Sequence, residues 1–388
     1  MTEILLAFFF ISVLLFFLGS GIWVAISMVG VSSIGMILFT SRPAGDAMAT
    51  TIWGASSSWT LTALPLFVWM GEILFRTKLS ENLFEGLAPW LQKLPGGLIH
   101  VNVVGCALFA AISGSSAATV ATVGKMSIPE LRKRKYPEKI LLGSLAGSGT
   151  LGLLIPPSII LIIYGVTVQE SIAKLFIAGI IPGIMIALIF MGYVIVWSLL
   201  NKNKMPTNYE NFSFLNKLSK SKQLIPVILL ILGVIGSIYT GIATATEAAS
   251  LGVVGALILS YFQKSLTLKT FKDSLLGATK TSCMIAFILA GATFLSLAMG
   301  FTGLPRNLAL WIQNMELSPY VLIFVLMIFY IILGMFLDGI SAVVLTMAII
   351  EPMIRQAGFD MIWFGIFLVI VVEMAQITPP VGFNLFVL

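Results

Sequence analysis

The chain has 388 residues and a formal net charge of +6; 59% of its residues are hydrophobic and only 10% are charged. Soluble domains carry about 25% charged residues, so this composition excludes an ordinary water-soluble fold. Many apolar segments reach the roughly 20 residues that a membrane-spanning helix needs. The composition therefore predicts an all-α, polytopic membrane protein, whose basic residues mark cytoplasmic loops and not a nucleic-acid surface.

The topology is predicted from the first apolar stretch and from the basic segments. Residues 4–18 follow an acidic residue and have no clear cleavage site, which predicts a membrane helix and not a removed signal peptide. Basic residues concentrate at 132–135, 201–223 and 263–280. The positive-inside rule places all three segments in the cytoplasm. Segment 201–223 is then a cytoplasmic connector between two halves of the chain.

Two apolar stretches have both ends on the same side of the membrane and a polar middle. The first, at about 98–127, centres on Ser113-Gly114-Ser115-Ser116 and is flanked by basic residues, so it opens toward the cytoplasm. The second, at about 318–350, centres on Asp338-Gly339-Ile340-Ser341 and has flanks poor in lysine, so it opens outward. Polar, non-helical backbone at membrane depth must be buried in protein or line a cavity. Both stretches are therefore predicted to be re-entrant helical hairpins.

Two proline pairs interrupt apolar stretches and predict broken helices. Pro156-Pro157 lies within about 140–165, and Pro379-Pro380 lies within about 361–388. Proline removes a backbone donor and clashes with the preceding helical turn. Helix breaks at corresponding places in the two halves of a membrane chain are the best sequence indication of a transporter's binding site.

Identical residues recur in the same order in the two halves, at a nearly constant offset of 220–225 residues. The pairs include Ala25 with Ala248, Gly71 with Gly291, Gly114 with Gly339, Ser116 with Ser341, and Pro156 with Pro379. Because the loop charges orient the halves oppositely, we predict an inverted-topology repeat of residues 1–200 and 224–388. The second repeat stops soon after its proline break, so we expect a final helix to be missing after Leu388.

Each repeat also contains an amphipathic stretch that predicts an interfacial helix, because its apolar residues recur at helical spacing. The apolar residues are Leu83, Phe84, Leu87, Trp90, Leu91 and Leu94 in the first repeat, and Leu304, Leu308, Trp311, Ile312 and Met315 in the second.

Asp338 is the most informative acid in the sequence. A carboxylate at membrane depth costs about 2.5–3.5 kcal/mol on insertion scales, so it needs a partner. The neighbouring sequence contains no lysine or arginine, and a bound cation is the natural companion. Capping of a helix start is the alternative interpretation of Asp338, and the two roles are compatible.

Sodium, a hard cation, is bound by several oxygens, which hydroxyls and freed backbone carbonyls supply. We predict at least two sodium sites, each formed by a hairpin tip and a helix break. The residues are Ser113, Gly114, Ser116, Gly149, Gly152 and Pro156 for the first site, and Asp338, Gly339, Ser341, Met374 and Thr378 for the second. Close helix packing is the alternative explanation for the small residues among them.

Between the tips, the positive ends of half-helices suit an anionic substrate group. The candidate substrate contacts are Ser115, Thr119, Thr378 and Asn384. Three further polar residues lie in apolar surroundings. Glu247 is interpreted as a helix-start acid, Glu373 as a functional acid or one that faces a solvated cavity, and His100 as an interfacial, solvated residue.

Enzyme and channel functions are the alternatives to a transporter. One histidine cannot build a zinc-protease motif, no serine-hydrolase elbow or nucleotide-binding loop occurs, and Asp338 has no second aspartate at another membrane centre. The sequence therefore predicts no enzyme activity. Broken helices and polar tips also build channel filters, but an inverted repeat within one chain favours alternating access.

Five short motifs occur in order along the chain: LPLFVWMGE at 64–72, ISGSSAAT at 112–119, LIPPS at 154–158, ATEAA at 245–249 and ITPPVG at 377–382. Together they resemble the large membrane subunit of TRAP transporters, the tripartite ATP-independent periplasmic transporters. The resemblance implies a sodium-driven importer of organic acids that works by an elevator motion in the bacterial inner membrane, among lipid. It also implies two partners, a small membrane subunit of four helices and a periplasmic substrate-binding protein.

Within that family, the overall likeness is greatest to the sialic-acid group and next to the C4-dicarboxylate group. Met1 opens directly on the large-subunit pattern, so the small subunit is expected to be a separate chain.

Overall fold

A computed structural model describes residues 3–77, 79–206, 213–307, 310, 318–379 and 382–388 of the chain. Across these ranges the backbone forms eighteen α-helices and three short 3-10 helices, with no β-strand. The helices of the first half are α1 (Glu3–Gly19), α2 (Val24–Phe39), α3 (Ala44–Ser56), α4 (Ala63–Phe75), α5 (Leu79–Leu91), α6 (Ile99–Ser113), α7 (Ser116–Lys133), α8 (Glu138–Gly149), α9 (Ile159–Thr167) and α10 (Ile172–Leu200).

The described residues of the second half are also helical. Its helices are α11 (Phe214–Ser221), α12 (Ile225–Tyr239), α13 (Ala245–Phe262), α14 (Leu268–Thr302), α15 (Pro319–Gly334), α16 (Gly339–Gln356), α17 (Met361–Gln376) and α18 (Phe383–Val387). The 3-10 helices are Trp59–Thr62, Thr150–Leu153 and Lys202–Lys204.

Helix length and hydropathy identify the protein as a membrane protein. Among the described residues, α10, α13, α14 and α16 are long and apolar enough to cross a membrane, and two bent helix pairs raise the number to six. The bent pairs are α3 with 59–75, at 55°, and α11 with α12, at 53°. Large apolar side chains on α10, such as Ile181 and Leu188, are exposed. The predicted all-helical, polytopic membrane architecture is confirmed.

One predicted loop is wrong. Residues 263–280 were expected to form a basic cytoplasmic loop, but α14 begins at Leu268, and Lys269, Lys272 and Lys280 lie within it. At 1.5 Å per residue, a helix of 35 residues is about 50 Å long and exceeds the roughly 30 Å hydrocarbon core. The basic first turns of α14 therefore extend the helix beyond the apolar layer.

The helices form two groups, which contact each other through α4 with α6 and through α14 with α16. In the first, α4 packs against α13 and α14, and α14 also packs along α2 and α3. In the second, α6 and α7 pack against α8 and the 3-10 helix Thr150–Leu153, while α17 packs against α9, α10, α15 and α16. The half-helix α9 also contacts α16, so the first half of the chain packs directly into the hairpin of the second.

The predicted interfacial helix of the first half buries its apolar stripe in protein. Leu83, Phe84 and Leu87 of α5 are buried, and α5 packs against α6, α7 and α11. The indole Nε1 of Trp90 donates a hydrogen bond to Ser221 Oγ at 2.6 Å, which ties α5 to α11. In the second half, Leu304 is buried, whereas Leu308, Trp311, Ile312 and Met315 lie outside the described residues.

Ion pairs order the basic turn between α7 and α8. The Arg132 Nε atom donates to Glu138 Oε1 at 3.0 Å, and Arg134 Nε donates to Glu130 Oε1 at 2.8 Å. The hydrogen bond from Arg132 lowers the pKa of the Glu138 carboxyl. Both side chains of the first pair are solvent-exposed, so this contact orders the turn and adds little stability.

The turn between α6 and α7 packs directly on the broken helix that contains Pro156 and Pro157. The backbone nitrogen of Ile159 donates to the Gly114 carbonyl oxygen at 3.2 Å. Gly114 has a φ of +61°, and a Cβ atom there would overlap the carbonyl oxygen of Pro157. Glycine is therefore required at this position both by the backbone angle and by the close approach of the break.

We expect Gly114→Ala to lower thermal stability more than the control variant Gly241→Ala. Gly241 has a φ of +72° but no atom within 4 Å of its Cβ position. Both variants carry the strain of a left-handed residue, about 1–2 kcal/mol, and only Gly114→Ala adds overpacking of roughly 1–3 kcal/mol. Thermal unfolding in detergent measures the difference, and equal losses would contradict the tip-to-break contact.

Candidate functional site

The first hairpin tip is a compact cluster of hydroxyl and carbonyl oxygens. The Ser115 side chain caps α7 by accepting a hydrogen bond from the Ala118 nitrogen. Thr119 Oγ1 lies 2.9 Å from Ser113 Oγ and donates to the Ser115 carbonyl at 2.7 Å. Hydroxyls that bond to one another within a buried turn hold the tip in one arrangement.

The first helix break lies against this tip. A Cβ atom at Gly152 would lie 2.6 Å from the Ser115 carbonyl oxygen and 2.8 Å from Thr119 Oγ1, so only glycine allows this approach. Gly149 packs equally closely against the Val120 side chain. Pro156 is buried in the same break. The structure therefore brings together the tip residues and the break residues that were predicted for the first sodium site.

The second tip is built around the carboxylate of Asp338. Its Oδ2 atom accepts a hydrogen bond from the Ser341 backbone nitrogen at 3.1 Å and caps α16. An ionised carboxylate has about four acceptor positions, so one capping bond leaves capacity for a cation. The Ser341 hydroxyl is buried and has no hydrogen-bond partner among the described residues.

The second break offers fewer inward-facing groups than predicted. The Met374 side chain is 47% exposed, so only its backbone belongs to the interior. Thr378 Oγ1 donates to the Met374 carbonyl at 2.6 Å, which leaves the lone pairs of the hydroxyl oxygen available. Pro379 is exposed, and Pro380 lies outside the described residues.

The two tips differ in local register, although the repeat aligns Gly114 with Gly339. Gly114 ends α6 in a left-handed conformation, whereas Gly339 is already the first residue of α16. The difference follows from the caps. Asp338 itself caps α16, but its repeat partner Ser113 bonds to Thr119, and the cap of α7 falls to Ser115.

Gln376 joins the two tips and was not identified from the sequence. It is the last residue of α17 and is only 3% exposed. Ser116 Oγ, at the start of α7, donates to Gln376 Oε1 at 3.0 Å. On the other side, Gln376 Nε2 lies 2.8 Å from the Cβ position of Gly339, at the start of α16. The only sequence signal was a neutral amide directly before the second break.

The predicted substrate contacts are not gathered around one cavity. Thr119 is fully buried inside the first tip, Ser115 is half-buried there, and Thr378 belongs to the second break. Asn384 is fully buried in α18, which packs against α7 and α8. Neither polar atom of its amide has a hydrogen-bond partner among the described residues.

A cavity of about 670 Å³ lies between the two helix groups. Its walls come from α3, the 3-10 helix Trp59–Thr62, α9, α14 and α16. Polar groups that line it include Ser58, Thr293, Ser296, Glu170 and Glu351. No predicted sodium or substrate residue lines this cavity.

Three other polar residues have defined surroundings. Glu247 forms a capping box with Thr244 at the start of α13, which confirms the helix-start interpretation. The interfacial, solvated interpretation of His100 is wrong: the residue is fully buried, and its Nε2 atom lies 2.8 Å from the Pro95 carbonyl oxygen inside the turn that precedes α6. Glu373 is 3% exposed, and its Oε1 atom has no partner among the described residues.

A family model and individual relatives of this chain indicate the same protein family. A family model described as "Tripartite ATP-independent periplasmic transporter, DctM component" matches residues 10–388. A C4-dicarboxylate TRAP transporter large permease protein of Pseudomonas aeruginosa is 33% identical over 359 residues, which cover 92% of this chain and 83% of that protein. A sialic acid TRAP transporter large permease protein of Vibrio cholerae is 30% identical over 375 residues, which cover 95% of this chain and 86% of that protein.

Among solved structures, the YdaH transporter of Alcanivorax borkumensis matches with a TM-score of 0.51 at 14% sequence identity, over 88% of this chain and 78% of that one. This likeness concerns the fold alone and agrees with a helical membrane protein. The family match spans nearly the whole chain and both proline breaks. The chain therefore belongs to the TRAP transporter family, as a large permease subunit of the DctM type.

Proposed function

We propose that this subunit couples the entry of sodium ions to the import of an organic acid anion. The observation that carries the proposal is the pairing of hydroxyl-rich or acidic tips with helix breaks. The first tip presents Ser113, Ser115 and Thr119 against Gly152, and the second presents the Asp338 carboxylate beside the Ser341 hydroxyl, which has no partner within the described part of the chain. Such oxygens replace the hydration shell of a small cation.

The energetics of sodium entry are sufficient for this task. Moving one positive charge inward across 100 mV yields about 2.3 kcal/mol. Two sodium ions entering with a singly charged anion carry one net positive charge inward. The membrane potential and the sodium gradient then both favour accumulation of the anion.

The proposed orientation places the basic turns, including Arg132 to Lys135, in the cytoplasm of a bacterium whose inner membrane holds the subunit. In this orientation the cavity between the helix groups, near Glu170 and Glu351, opens on the periplasmic side. We propose that the group with the two hairpins slides against the group of α2, α4, α13 and α14. A small membrane subunit and a periplasmic substrate-binding protein would complete the transporter.

Sialic acid is the first candidate substrate, and C4-dicarboxylates are the second. Both are organic acid anions, and half-helix N-termini at the tips suit a carboxylate group. A sialic acid relative is 30% identical and a C4-dicarboxylate relative is 33% identical, so the relatives support both candidates.

We expect proteoliposomes that contain the membrane complex to accumulate N-acetylneuraminate when the binding protein and an inward sodium gradient are both present. A potassium gradient of equal size should give no accumulation. Radiolabelled uptake of N-acetylneuraminate and of succinate distinguishes the two substrates. Equilibration without accumulation would instead indicate a channel.

We expect Asp338→Ala to abolish the sodium dependence of uptake, because it removes the one acidic side chain of the segment 338–341. Asp360→Ala is the matched control, since Asp360 caps α17 by accepting from the Trp363 nitrogen at 2.9 Å but is exposed at the far end of that helix. Each variant loses an N-cap, worth about 1 kcal/mol. Uptake measured against sodium concentration separates the two roles. An Asp338→Ala variant with wild-type sodium dependence would refute the second sodium site.

A further inference from the structure

Gln376 is the one described side chain shown to contact the first residues of both helices that follow the hairpin tips. Its Oε1 atom accepts the hydrogen bond from Ser116 Oγ at 3.0 Å, and its Nε2 atom lies 2.8 Å from the position that a Cβ atom of Gly339 would occupy. The residues Ser116 and Gln376 are 260 positions apart in the chain. The amide therefore forms a direct link between the two repeats.

The contact with Ser116 sets the direction of a hydroxyl proton. A serine hydroxyl has one proton to donate and two lone pairs to offer. Because the proton of Ser116 is donated to the carbonyl oxygen of Gln376, both lone pairs remain on the other side of the oxygen. A cation ligand needs this arrangement, since a proton directed at the cation would repel it.

Gln376 packs so closely against Gly339 that a larger residue at position 339 would have no space. The Cβ position of Gly339 lies 2.8 Å from Gln376 Nε2 and 2.7 Å from Val372 Cγ1. Gly339 directly follows Asp338, whose carboxylate caps the same helix. A shift of Gln376 toward α16 is therefore transmitted to the backbone that carries the Asp338 carboxylate, because a close-packed interior transmits displacement.

We propose that Gln376 is a positioning residue that couples the two tips, so that a sodium ion at one tip raises the affinity of the other. This inference rests on the proposed sodium sites. A cation at the first tip binds the Ser116 oxygen and fixes the direction of its hydroxyl group. The hydroxyl donates its proton to the Gln376 amide and fixes the amide in turn. The amide then restricts the position of Gly339, which follows Asp338. Coupling between two sites is reciprocal, so occupancy of the second tip strengthens the first equally.

The variant Gln376→Leu removes the hydrogen bond with Ser116 and keeps a similar volume beside Gly339. Changes in the residues that orient metal ligands typically cost 10–100-fold in metal affinity. We therefore expect the sodium concentration for half-maximal effect to rise by about tenfold or more, and the Hill coefficient for sodium to fall toward one. Gln376→Asn retains the amide but is one methylene shorter, and we expect the same direction of change if Gln376→Leu does not fold.

Asn102→Leu is the matched control. The Asn102 amide is also fully buried and also joins two helices, because its Nδ2 atom donates to Ser144 Oγ at 3.0 Å and to the Leu141 carbonyl at 3.3 Å. It lies near the base of α6, away from both tips. We expect this variant to lose thermal stability but to keep the half-maximal sodium concentration and the Hill coefficient of the wild type.

Two measurements test the inference with the purified membrane complex. One is the thermal unfolding midpoint as sodium chloride replaces choline chloride at constant ionic strength, which reports binding without transport. The other is the Hill coefficient of sodium-driven uptake. The coupling role is wrong if the Gln376 variants lower only the unfolding midpoint in the absence of sodium. It is also wrong if sodium binding to the wild type is not cooperative. Neither outcome contradicts the proposed sodium sites. If sodium has no effect on the wild type, the proposed function itself fails.

Discussion

Every backbone group that a helix break frees at membrane depth must find its partner within the protein, because lipid offers none. In this chain the hairpin tips and the breaks satisfy that requirement together. The nitrogen that begins α9 after the first break donates to the carbonyl of Gly114, and the glycine at 152 lets the Ser115 carbonyl approach the break. The arrangement that stabilises the broken helix thus also brings the hydroxyl and carbonyl oxygens of the first tip close together.

This double role explains why close packing and cation binding are not competing explanations for the small residues. Gly114 and Gly152 are required by direct overlap with neighbouring backbone, whatever the tip binds. Ser113 and Thr119 are occupied with each other and with the Ser115 carbonyl. The residues that packing does not explain are the ones with unused polar capacity, namely Asp338 and Ser341. They are better evidence for a cation site than any glycine.

The sequence carries strong signals for features that have a large energetic cost in a membrane. Proline pairs, a carboxylate in an apolar segment and a polar hairpin tip are all expensive in lipid, and each marked an element that the structure contains. Features without such a cost were missed. Gln376 is a neutral amide, and the buried His100 ring packs against the turn at Gly96, where a Cβ atom would lie 3.0 Å from its Nε2 atom. The start of α14 was misplaced because charge density predicts which side of a membrane a segment faces, but not whether the segment is helical.

The asymmetry of the tips follows from single residues and has consequences for coupling. On the proposed assignment, the first site holds its cation with neutral oxygens from Ser113, Ser116 and the nearby carbonyls, whereas the second adds the charge of Asp338. An unpaired carboxylate is costly to move through an apolar layer, and a bound cation neutralises it. The second site is therefore the one whose occupancy decides whether the hairpin group can cross. The first site, which Ser116 and Gln376 link to the second, acts by making that occupancy more favourable. A single buried amide can in this way connect two symmetry-related sites that differ in charge, without any contact between the ions themselves.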